Sequence, residues 1–415
     1  MSQLPRYESY KDSGVQWLGE IPSHWDVKRM KFVVANVGDK IDAKESDLRY
    51  FGLENIESFT GKLLDSVELE SEGIGHRFQK DDVLFGKLRP YLAKVFLAQE
   101  EGLSSTEALV FRSSEVIYPK FLSYYCLSQD FINEVNGTTF GSKMPRASWD
   151  DISSFRMVYP SLDEQKIIVG FLDKRLAQVD ALIAKQEILL EKLAEQRVAL
   201  ISHAVTKGLN PDVEMKESGV EWLGKVPRSW DIANLRYFIS CNSGDALESS
   251  KILRDADEFN YIPVIGGNGL LGFTENSNYK KECIAVGRVG ALCGNVHFID
   301  YESWINDNAL LIKLISDKFN INYLVYLLRS RNLNELASKT AQPLLTGTQV
   351  KAEKVCIPLM SEQLEIVRYL DTNLEALDKL LETVNKTIQT LREYRSTLIT
   401  QVVTGKIDVR NLKVN

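Results

Sequence analysis

The sequence contains one sixteen-residue segment twice, and this repeat constrains the fold more than any other feature. KDSGVQWLGEIPSHWD occupies residues 11–26, and KESGVEWLGKVPRSWD occupies residues 216–231. Lys, Ser, Gly, Val, Trp, Leu, Gly, Pro, Trp and Asp recur in the same register. A repeat with this long period predicts two tandem halves, each built on the same local element. We interpret the repeated tryptophans as packing anchors of that element: Trp17, Trp25, Trp222 and Trp230.

A second repeated block predicts two long helices. It spans residues 159–208 and again residues 357–406, and the copies share a Glu-Gln pair. The blocks contain no proline after the one near each start, and apolar residues recur every seven positions, as in a coiled-coil seam. The Glu-Gln pairs are Glu164, Gln165, Glu362 and Gln363. The seam positions of the first copy are Leu172, Val179, Gln186, Leu193 and Leu200, and Val169, Leu176, Ile183, Leu190, Arg197 and Ala204. Those of the second are Leu370, Leu377, Val384, Leu391 and Leu398, and Val367, Leu374, Leu381, Ile388, Arg395 and Val402.

The ends of these helices carry capping signals. Ser161 or Asp163 is a candidate N-cap of the first helix, and Ser361 is a candidate for the second. Gly208 and Gly405 follow the last periodic residues, where a left-handed conformation favours glycine.

Two helices with matched seams most simply pair with each other, and we predict an antiparallel coiled coil within the chain. The alternatives are that each helix packs on its own domain or drives homodimerisation. Arg197 and Arg395 interrupt the seam at corresponding places. Each is either a side chain that snorkels to solvent at a fraying end or a charged position that fixes register or meets a partner.

The segments between the repeats hardly match, although strand-like stretches and one short helical stretch occur in the same order. The predicted helical stretches are residues 118–135 and 321–336. The fold class is therefore α+β, with two tandem, pseudo-twofold-related α/β domains separated by the two long helices. The predicted boundaries are 1–157 for the first domain, 158–208 for the central helix, 209–356 for the second domain and 357–415 for the last helix.

Composition narrows the class of protein. No apolar run approaches the roughly 20 residues of a membrane-spanning helix. The polar N-terminal stretch lacks the apolar core of a signal peptide. The five cysteines are scattered without CxxC spacing, which favours reduced thiols. A cytoplasmic location is expected. The four histidines form no cluster of zinc-ligand spacing, so no metal site is predicted.

Motifs for catalysis are missing. GNGLLG at residues 267–272 satisfies G-x-G-x-x-G, but a turn-like segment follows it instead of a helix, so we predict a loop or hairpin turn. The sequence contains no P-loop and no G-x-S-x-G elbow. We expect no catalytic residues, and any chemistry belongs to a partner.

Basic and polar side chains at predicted turns of the two dissimilar segments are candidates for DNA contact. Arginine can read guanine and glutamine can read adenine, while lysine mainly holds phosphate. Ordinary surface charge is the alternative interpretation. The candidates in the first segment are Lys87, Arg89, Lys94, Ser142, Lys143 and Arg146. Those in the second are Lys280, Lys281, Arg288, Lys339, Gln342, Thr346, Thr348, Gln349 and Lys351.

Taken together, the paired GVQWLGEIPSHWD and GVEWLGKVPRSWD motifs and the P-x-x-x-EQ entries at Pro160–Gln165 and Pro358–Gln363 resemble the specificity subunit of Type I restriction–modification systems. The resemblance covers essentially the whole chain. It implies that each of two target-recognition domains reads one half of a bipartite, asymmetric site in double-stranded DNA. It also implies that the long helices set the length of the unread spacer.

The same resemblance implies partners. The repeated Trp and Glu-Gln motifs, with Arg197 and Arg395, would form a structural frame that recruits two methylation subunits and, where present, restriction subunits. S-adenosylmethionine, and ATP with Mg²⁺ for restriction, would be bound by those partners and not by this chain. The net charge of −7 is unusual for an autonomous DNA-binding protein, and partner subunits would supply the missing positive charge. A fused or stand-alone DNA-modifying enzyme and a coiled-coil scaffold without a DNA role are the competing hypotheses.

Overall fold

The computed structural model describes residues 5–64, 73–141, 143–338 and 343–412. The chain forms two compact units. The first unit contains Met1–Glu187 and Asn385–Asn415, and the second contains Ile188–Val384. The first unit is therefore discontinuous in sequence, because its last part is supplied by the C-terminal stretch.

Within the described residues, the first unit consists of short strands, three short helices and parts of two long ones. Its strands are β1 (Tyr10–Asp12), β2 (Glu20–Pro22), β3 (Asp26–Arg29), β4 (Val34–Asn36), β5 (Asp39–Asp42), β6 (Tyr50–Phe51), β7 (Ile74–Phe78), β8 (Val83–Gly86), β9 (Val95–Leu97), β10 (Gly102–Ser105), β11 (Ala108–Ser113) and β12 (Arg156–Tyr159). Its short helices, within the described residues, are α1 (Pro119–Leu127), α2 (Gln129–Gly137) and α3 (Trp149–Ser154).

The sheets of the first unit surround an aromatic and aliphatic core. Strands β4, β11, β8 and β9 form an antiparallel sheet in that order, and β5, β7, β10 and β6 form a mixed one. The first sheet packs on α1 and α2, where Phe85, Phe111 and Phe131 are almost fully buried. The same core includes Ile168 and Leu172 near the start of one long helix and Ile399, Val402 and Val403 at the end of the other.

The second unit repeats this plan with different residues. Its strands are β13 (Met215–Glu217), β14 (Lys225–Pro227), β15 (Asp231–Asn234), β16 (Ile239–Ser243), β17 (Ile262–Gly266), β18 (Gly269–Thr274), β19 (Cys283–Gly287), β20 (Val296–Ile299), β21 (Trp304–Ile305), β22 (Ala309–Leu314) and β23 (Lys354–Ile357). Its short helices, within the described residues, are α5 (Ile321–Ser330) and α6 (Gly347–Ala352), and the two long helices are α4 (Leu162–Lys207) and α7 (Met360–Val403).

The sheet order β16-β22-β19-β20 of the second unit corresponds to β4-β11-β8-β9 of the first, and every neighbouring pair in it is antiparallel. Likewise, β15 pairs with β23 as β3 pairs with β12. In both units a strand that follows the Trp motif thus pairs with the strand that leads into a long helix. The predicted α+β class and the internal repeat are confirmed.

The long helices have 46 and 44 residues, and both predicted seams lie on protected faces. Every seam position is buried or half-buried, including Leu172, Leu193, Leu370 and Val402. The seam prediction is therefore confirmed.

The two helices run antiparallel where they pack within each unit. In the first unit, the Arg395 Nε atom donates to Asp180 Oδ1 at 2.9 Å, and Arg392 Nη2 donates to Glu187 Oε1 at 2.9 Å. Higher numbers on α4 therefore meet lower numbers on α7. In the second unit, Arg197 pairs with Asp378. Intrachain antiparallel pairing is confirmed. Neither homodimerisation nor separate packing of each helix on its own domain is needed to cover the seams.

The helix ends agree with the predicted caps in three of four places. Ser161 precedes α4, and its hydroxyl lies 3.5 Å from the Glu164 amide nitrogen. Gly208 and Gly405 adopt left-handed φ angles of 75° and 74° after the helices. Ser361 is not an N-cap, because α7 begins one residue earlier and the Leu359 carbonyl accepts from the Gln363 N–H at 2.9 Å.

Two shorter predictions need correction in detail. The stretch 118–135 is two helices, because Ser128 adopts an extended conformation with ψ 138° and its hydroxyl donates to the Tyr125 carbonyl at 2.6 Å. The stretch 321–336 ends as a helix at Ser330, and Leu333–Leu336 forms a 3-10 turn. GNGLLG forms the β17–β18 hairpin with a turn that includes Gly269 at φ 90°, as predicted.

The beginning and the end of the described chain meet in the first unit. The Asp408 N–H donates to the Pro5 carbonyl at 2.8 Å. The Arg410 guanidinium lies 4.9 Å from the centre of the Tyr7 ring. None of the helices in the described ranges is both long enough and apolar enough to cross a membrane.

Candidate nucleic-acid interface

In the first unit, the structure joins the two groups of predicted DNA contacts. The Lys87 N–H, just after β8, donates to the Glu107 carbonyl, and the Lys87 carbonyl accepts from the Ala147 N–H, both at 2.9 Å. The Arg89 N–H donates to the Pro145 carbonyl at 2.8 Å. We call this pairing of the β8 end with the loop before α3 the first joint.

The second unit contains the same joint after β19. The Arg288 N–H donates to the Asn308 carbonyl at 3.0 Å, and the Arg288 carbonyl accepts from the Leu345 N–H at 2.9 Å. The Gly290 N–H donates to the Pro343 carbonyl at 3.0 Å. This second joint pairs the β19 end with the loop before α6. Lys87 thus corresponds to Arg288, Arg89 to Gly290 and Ala147 to Leu345.

Both joints lead into a capped short helix. The Ser148 hydroxyl accepts from the Asp151 N–H at the start of α3, at 3.2 Å. The Thr346 hydroxyl accepts from the Gln349 N–H at the start of α6, at 3.3 Å. The backbone of the joint is therefore duplicated, while the side chains that it presents are not.

The first joint presents cations and exposed apolar groups. Arg89 and Lys143 are exposed and Lys87 is half-buried, and none of the three has a side-chain partner among the described residues. Arg89 adopts a left-handed φ of 51°, which turns the chain sharply after β8. Two apolar neighbours in the same loop, Phe140 at 62% and Met144 at 53%, are also exposed. Sequence reasoning missed both, because an isolated apolar residue in a turn carries no periodic signal.

The second joint presents a single half-buried arginine. Arg288 Nη1 donates to Ser243 Oγ at 3.0 Å and to the Asp307 carbonyl at 3.4 Å. Its Nε atom is buried and has no hydrogen-bond partner in the part of the chain that the structure describes. Two leucines near this joint are also exposed. Leu292, at 46%, lies four residues after Arg288, and Leu344, at 37%, precedes the Leu345 N–H that donates to the Arg288 carbonyl.

Other predicted DNA contacts already have structural partners. Lys94 Nζ donates to the Leu53 carbonyl at 2.6 Å, and Lys280 pairs with Glu302 at 3.0 Å. The Gln349 carboxamide closes a capping box with Thr346 and donates to the Leu336 carbonyl at 2.6 Å. These groups are less available to a ligand than Arg89 or Lys143, because binding would have to replace a contact already made.

The remaining candidates without a noted partner are exposed, half-buried or outside the described residues. Lys281 and Thr348 are exposed, and Lys351 is half-buried on α6. Three predicted residues lie outside the described residues: Ser142, Lys339 and Gln342. DNA contact stays a prediction for the whole set.

The repeated Trp and Glu-Gln motifs, by contrast, bind each other inside each unit. Trp25 is fully buried, and its Nε1 atom donates to Glu164 Oε1 at 3.1 Å. Trp230 is 1% exposed, and its Nε1 atom donates to Glu362 Oε2 at 2.8 Å. The first carboxylate also accepts from Tyr7 and His24, each at 2.8 Å.

The two glutamines fasten the start of each long helix to the loop before α1 or α5. Each buried carboxamide donates twice to backbone carbonyls and accepts once from a backbone N–H, so both of its N–H donors are used. The partners of Gln165 are Val116 and Pro160, each at 2.9 Å, and Tyr118 at 2.7 Å. The partners of Gln363 are Lys318 at 2.8 Å, Pro358 at 3.0 Å and Asn320 at 2.8 Å.

The other two tryptophans lie at the edge of the packing. Trp17 is half-buried against the core of the first unit. Trp222 is half-buried beneath Arg331, whose guanidinium lies 5.6 Å from the ring centre. Gly405 lies beside the buried Trp25 ring. Only glycine fits at this position, because a Cβ atom there would lie 2.4 Å from the Pro22 ring.

Arg197 and Arg395 make equivalent cross-helix ion pairs, with Asp378 and Asp180. Arg395 is 7% exposed, and it also donates to the Phe59 carbonyl at 2.6 Å and to the Thr60 carbonyl at 3.1 Å. Of the two interpretations, these contacts favour a charge that fixes the register of the helix pair over a side chain at a fraying end.

Burial also shifts proton affinities near these sites. Desolvation is the main cause that raises the pKa of Tyr124 and the pKa of Tyr326 well above the usual range. The second cause is a hydrogen bond to a carboxylate, which is Asp173 for Tyr124 and Asp371 for Tyr326. Both phenols therefore stay protonated and donate to those aspartates, at 2.6 Å each. Burial and the nearby Arg329 lower the pKa of His297, which keeps this imidazole neutral at pH 7. Among the described residues, no group of three or more His, Cys, Asp or Glu side chains is arranged to hold a metal ion.

A sequence model of the family described as "Type I restriction modification DNA specificity domain" matches residues 73–192 and 227–390. The two matches together cover more than half of the chain. Each match contains one joint and extends into one of the long helices.

Named relatives give the same result. The Type I restriction enzyme EcoprrI specificity subunit of Escherichia coli is 29% identical over 259 residues, which cover 61% of this chain and 60% of that protein. The Type I restriction enzyme MjaVIII specificity subunit of Methanocaldococcus jannaschii is 22% identical over 425 residues, which cover 94% of this chain and 95% of that protein.

Solved structures share the fold. A chain from a study of complex assembly and conformational transition of the type I R-M system aligns with a TM-score of 0.76 at 18% identity, over 92% of this chain and 98% of that one. The HsdS subunit from Thermoanaerobacter tengcongensis aligns with a TM-score of 0.54 at 18% identity, over 93% and 98% of the two chains.

Proposed function

Because this chain belongs to the family of Type I restriction–modification specificity subunits, we propose that its two units are target-recognition domains that each read one half of a bipartite, asymmetric site in double-stranded DNA. Reading the site is its whole role, and methylation or cleavage is performed by partner subunits. A stand-alone DNA-modifying enzyme and a scaffold without a DNA role are not favoured, since the relatives are named specificity subunits.

The duplicated joint carries this proposal. The same backbone hydrogen bonds recur in both units, yet Lys87 and Arg89 stand in one where Arg288 and Gly290 stand in the other. Two domains that recognise different half-sites need the same supporting backbone and different side chains on it. Side chains at the base edges supply sequence discrimination, while exposed lysines fix the position on the phosphates.

The repeated frame and the helix pair supply the remaining functions. We propose that the outer surface of the frame recruits two methylation subunits, and that restriction subunits join that core. The paired helices set the length of the unread spacer. S-adenosylmethionine, and ATP with Mg²⁺ for restriction, are bound by those partners. The proposed location is the cytoplasm, where the substrate DNA lies.

An exchange of recognition segments tests the proposal. The ladder between β3 and β12 encloses residues 30–155, and the ladder between β15 and β23 encloses residues 235–353. Replacing either stretch with that of a relative leaves both ladders and both long helices in place. We expect the methylation motif, mapped by sequencing modified adenines in cells, to change in one half-site only.

The reciprocal exchange is the matched control. Replacing residues 235–353 should change the other half-site and leave the first intact. A single exchange that alters both half-sites, or neither, would contradict the assignment of one half-site to each unit.

A further inference from the structure

We propose that Arg146 reads a guanine in one half-site and that Glu107 is the positioning residue that holds its guanidinium for this contact. The inference deepens the proposed function and rests on it. It assigns a base to one side chain of the first joint and separates that side chain from the cations around it.

The two side chains form a fork. Arg146 Nε lies 3.1 Å from Glu107 Oε2, and Arg146 Nη2 lies 3.4 Å from Glu107 Oε1. The arginine side chain is 39% exposed and the glutamate side chain is 30% exposed. The pair is therefore accessible to a ligand while one edge of the guanidinium is already bound.

Both backbones of the pair are fixed. Arg146 and Phe140 exchange two backbone hydrogen bonds, at 3.0 and 3.2 Å, and Arg146 also bridges to Leu88. The Glu107 carbonyl accepts from the Lys87 N–H, and the Glu107 N–H donates to Ser105 Oγ at 3.2 Å. The backbone and the guanidinium of Arg146 are both held in place before DNA binds. The side chain therefore loses little further conformational entropy on binding.

The donors that remain suit a base edge. Glu107 accepts hydrogen bonds from the Nε–H and from one N–H of Nη2 of Arg146. Three of the five guanidinium N–H groups therefore remain available to a ligand. They include both N–H groups of Nη1, which make no hydrogen bond within the described residues. An arginine presenting Nη1 and Nη2 spans O6 and N7 of guanine in the major groove, which is the commonest specific contact in protein–DNA complexes.

Phosphate contact is assigned to other groups. A phosphate needs a charge and not a fixed plane, and Lys87, Arg89 and Lys143 supply charges without a side-chain partner among the described residues. A carboxylate beside Arg146 would weaken a purely electrostatic contact with phosphate but does not prevent hydrogen bonding to a base edge.

The second unit lacks this pair. Leu344 occupies the position of Arg146, since it bridges to Val289 as Arg146 bridges to Leu88. Asn308 occupies the position of Glu107, because its carbonyl accepts from Arg288 as that of Glu107 accepts from Lys87. The guanine contact is therefore confined to one half-site.

The test uses the full chain in complex with its methylation subunits. The methylation motif is mapped first, and competition binding then measures each single-base change in both half-sites for wild type, Arg146→Lys and Glu107→Gln. We expect Arg146→Lys to lose about tenfold or more of the preference for guanine at one position of one half-site. Glu107→Gln, which keeps the side-chain shape, should lose part of that preference at the same position.

The exposed pair of Arg77 and Glu101, at 2.9 Å in the same unit, gives the control Arg77→Lys, which should leave every preference unchanged. Equal loss of affinity for all sequences in Arg146→Lys would overturn the inference and leave the proposed function standing. Base preferences that stay unchanged in both half-sites of Arg146→Lys would have the same meaning. A wild-type complex without any sequence preference would overturn the proposed function itself.

Discussion

The Arg395 side chain links three parts of the first unit. It binds Asp180 on the facing helix and two backbone carbonyls of the segment 59–60, and it is almost fully buried. Truncating Arg395 would remove all three contacts and leave Asp180 only its pair with the exposed Lys62. Losing a buried, several-fold bonded charge of this kind costs much more than losing an exposed pair.

We therefore expect Arg395→Ala to lower the free energy of unfolding by about 2–4 kcal/mol. The matched control is Arg392→Ala on the same helix, whose pair with Glu187 is exposed and is worth roughly 0–1 kcal/mol. Denaturant titration of both variants gives the comparison. Equal losses would mean that the burial of Arg395 does not matter.

Side chains at this scale divide into those that the sequence identifies and those that it does not. Trp25, Trp230, Glu164 and Glu362 stand out because they are repeated in register, and the structure joins them in pairs. Glu107 could not be found this way. Its role depends on a turn that touches a loop nearly forty residues away in sequence, and no local pattern encodes such a contact.

At the scale of elements, the long helices were the easiest to predict and the strands the hardest. A seven-residue period repeats its signal along the whole helix. The helix interrupted at Ser128 and the capping role of Gln349 depend instead on single hydrogen bonds that compete with the expected structure. Likewise, strands of two to six residues leave too few positions for alternation to show.

The helix pair offers a prediction of its own, based on its proposed role of setting the spacer length. Seven residues inserted after Glu187 and seven after Val384 add about 10 Å to each helix and preserve the seam. We expect the unread spacer to lengthen by about three base pairs or methylation to stop. The motif is again mapped by sequencing modified adenines.

Insertion in one helix alone is the control. It shifts one seam against the other and should abolish methylation. If the double insertion left full methylation at an unchanged spacer, the helices would not set that length.

At the scale of the whole molecule, the charge is the feature that needs an explanation. Net charge −7 opposes approach to DNA, whereas DNA binding strengthens as a protein neutralises more phosphates. Partner subunits that face the phosphates would remove this conflict and leave base reading to the two joints.

The dependence of DNA affinity on salt concentration measures this division of labour. We expect a shallow slope of log affinity against log salt for the isolated chain and a steeper slope for the complex with methylation subunits. A steep slope for the isolated chain that partners leave unchanged would show that this chain alone neutralises the phosphates.

The discontinuity of the first unit has a consequence for synthesis. Its core needs Ile399 and Val402 to cover Leu172 and Leu176, but residues 188–384 leave the ribosome in between. At about 5–20 residues per second that interval lasts roughly 10–40 s. All residues of the second unit are therefore synthesised before the first unit is complete, although the first unit begins earlier in the sequence. During that interval the nascent first unit exposes an unfinished apolar surface, and we expect chaperones to bind this part of the chain.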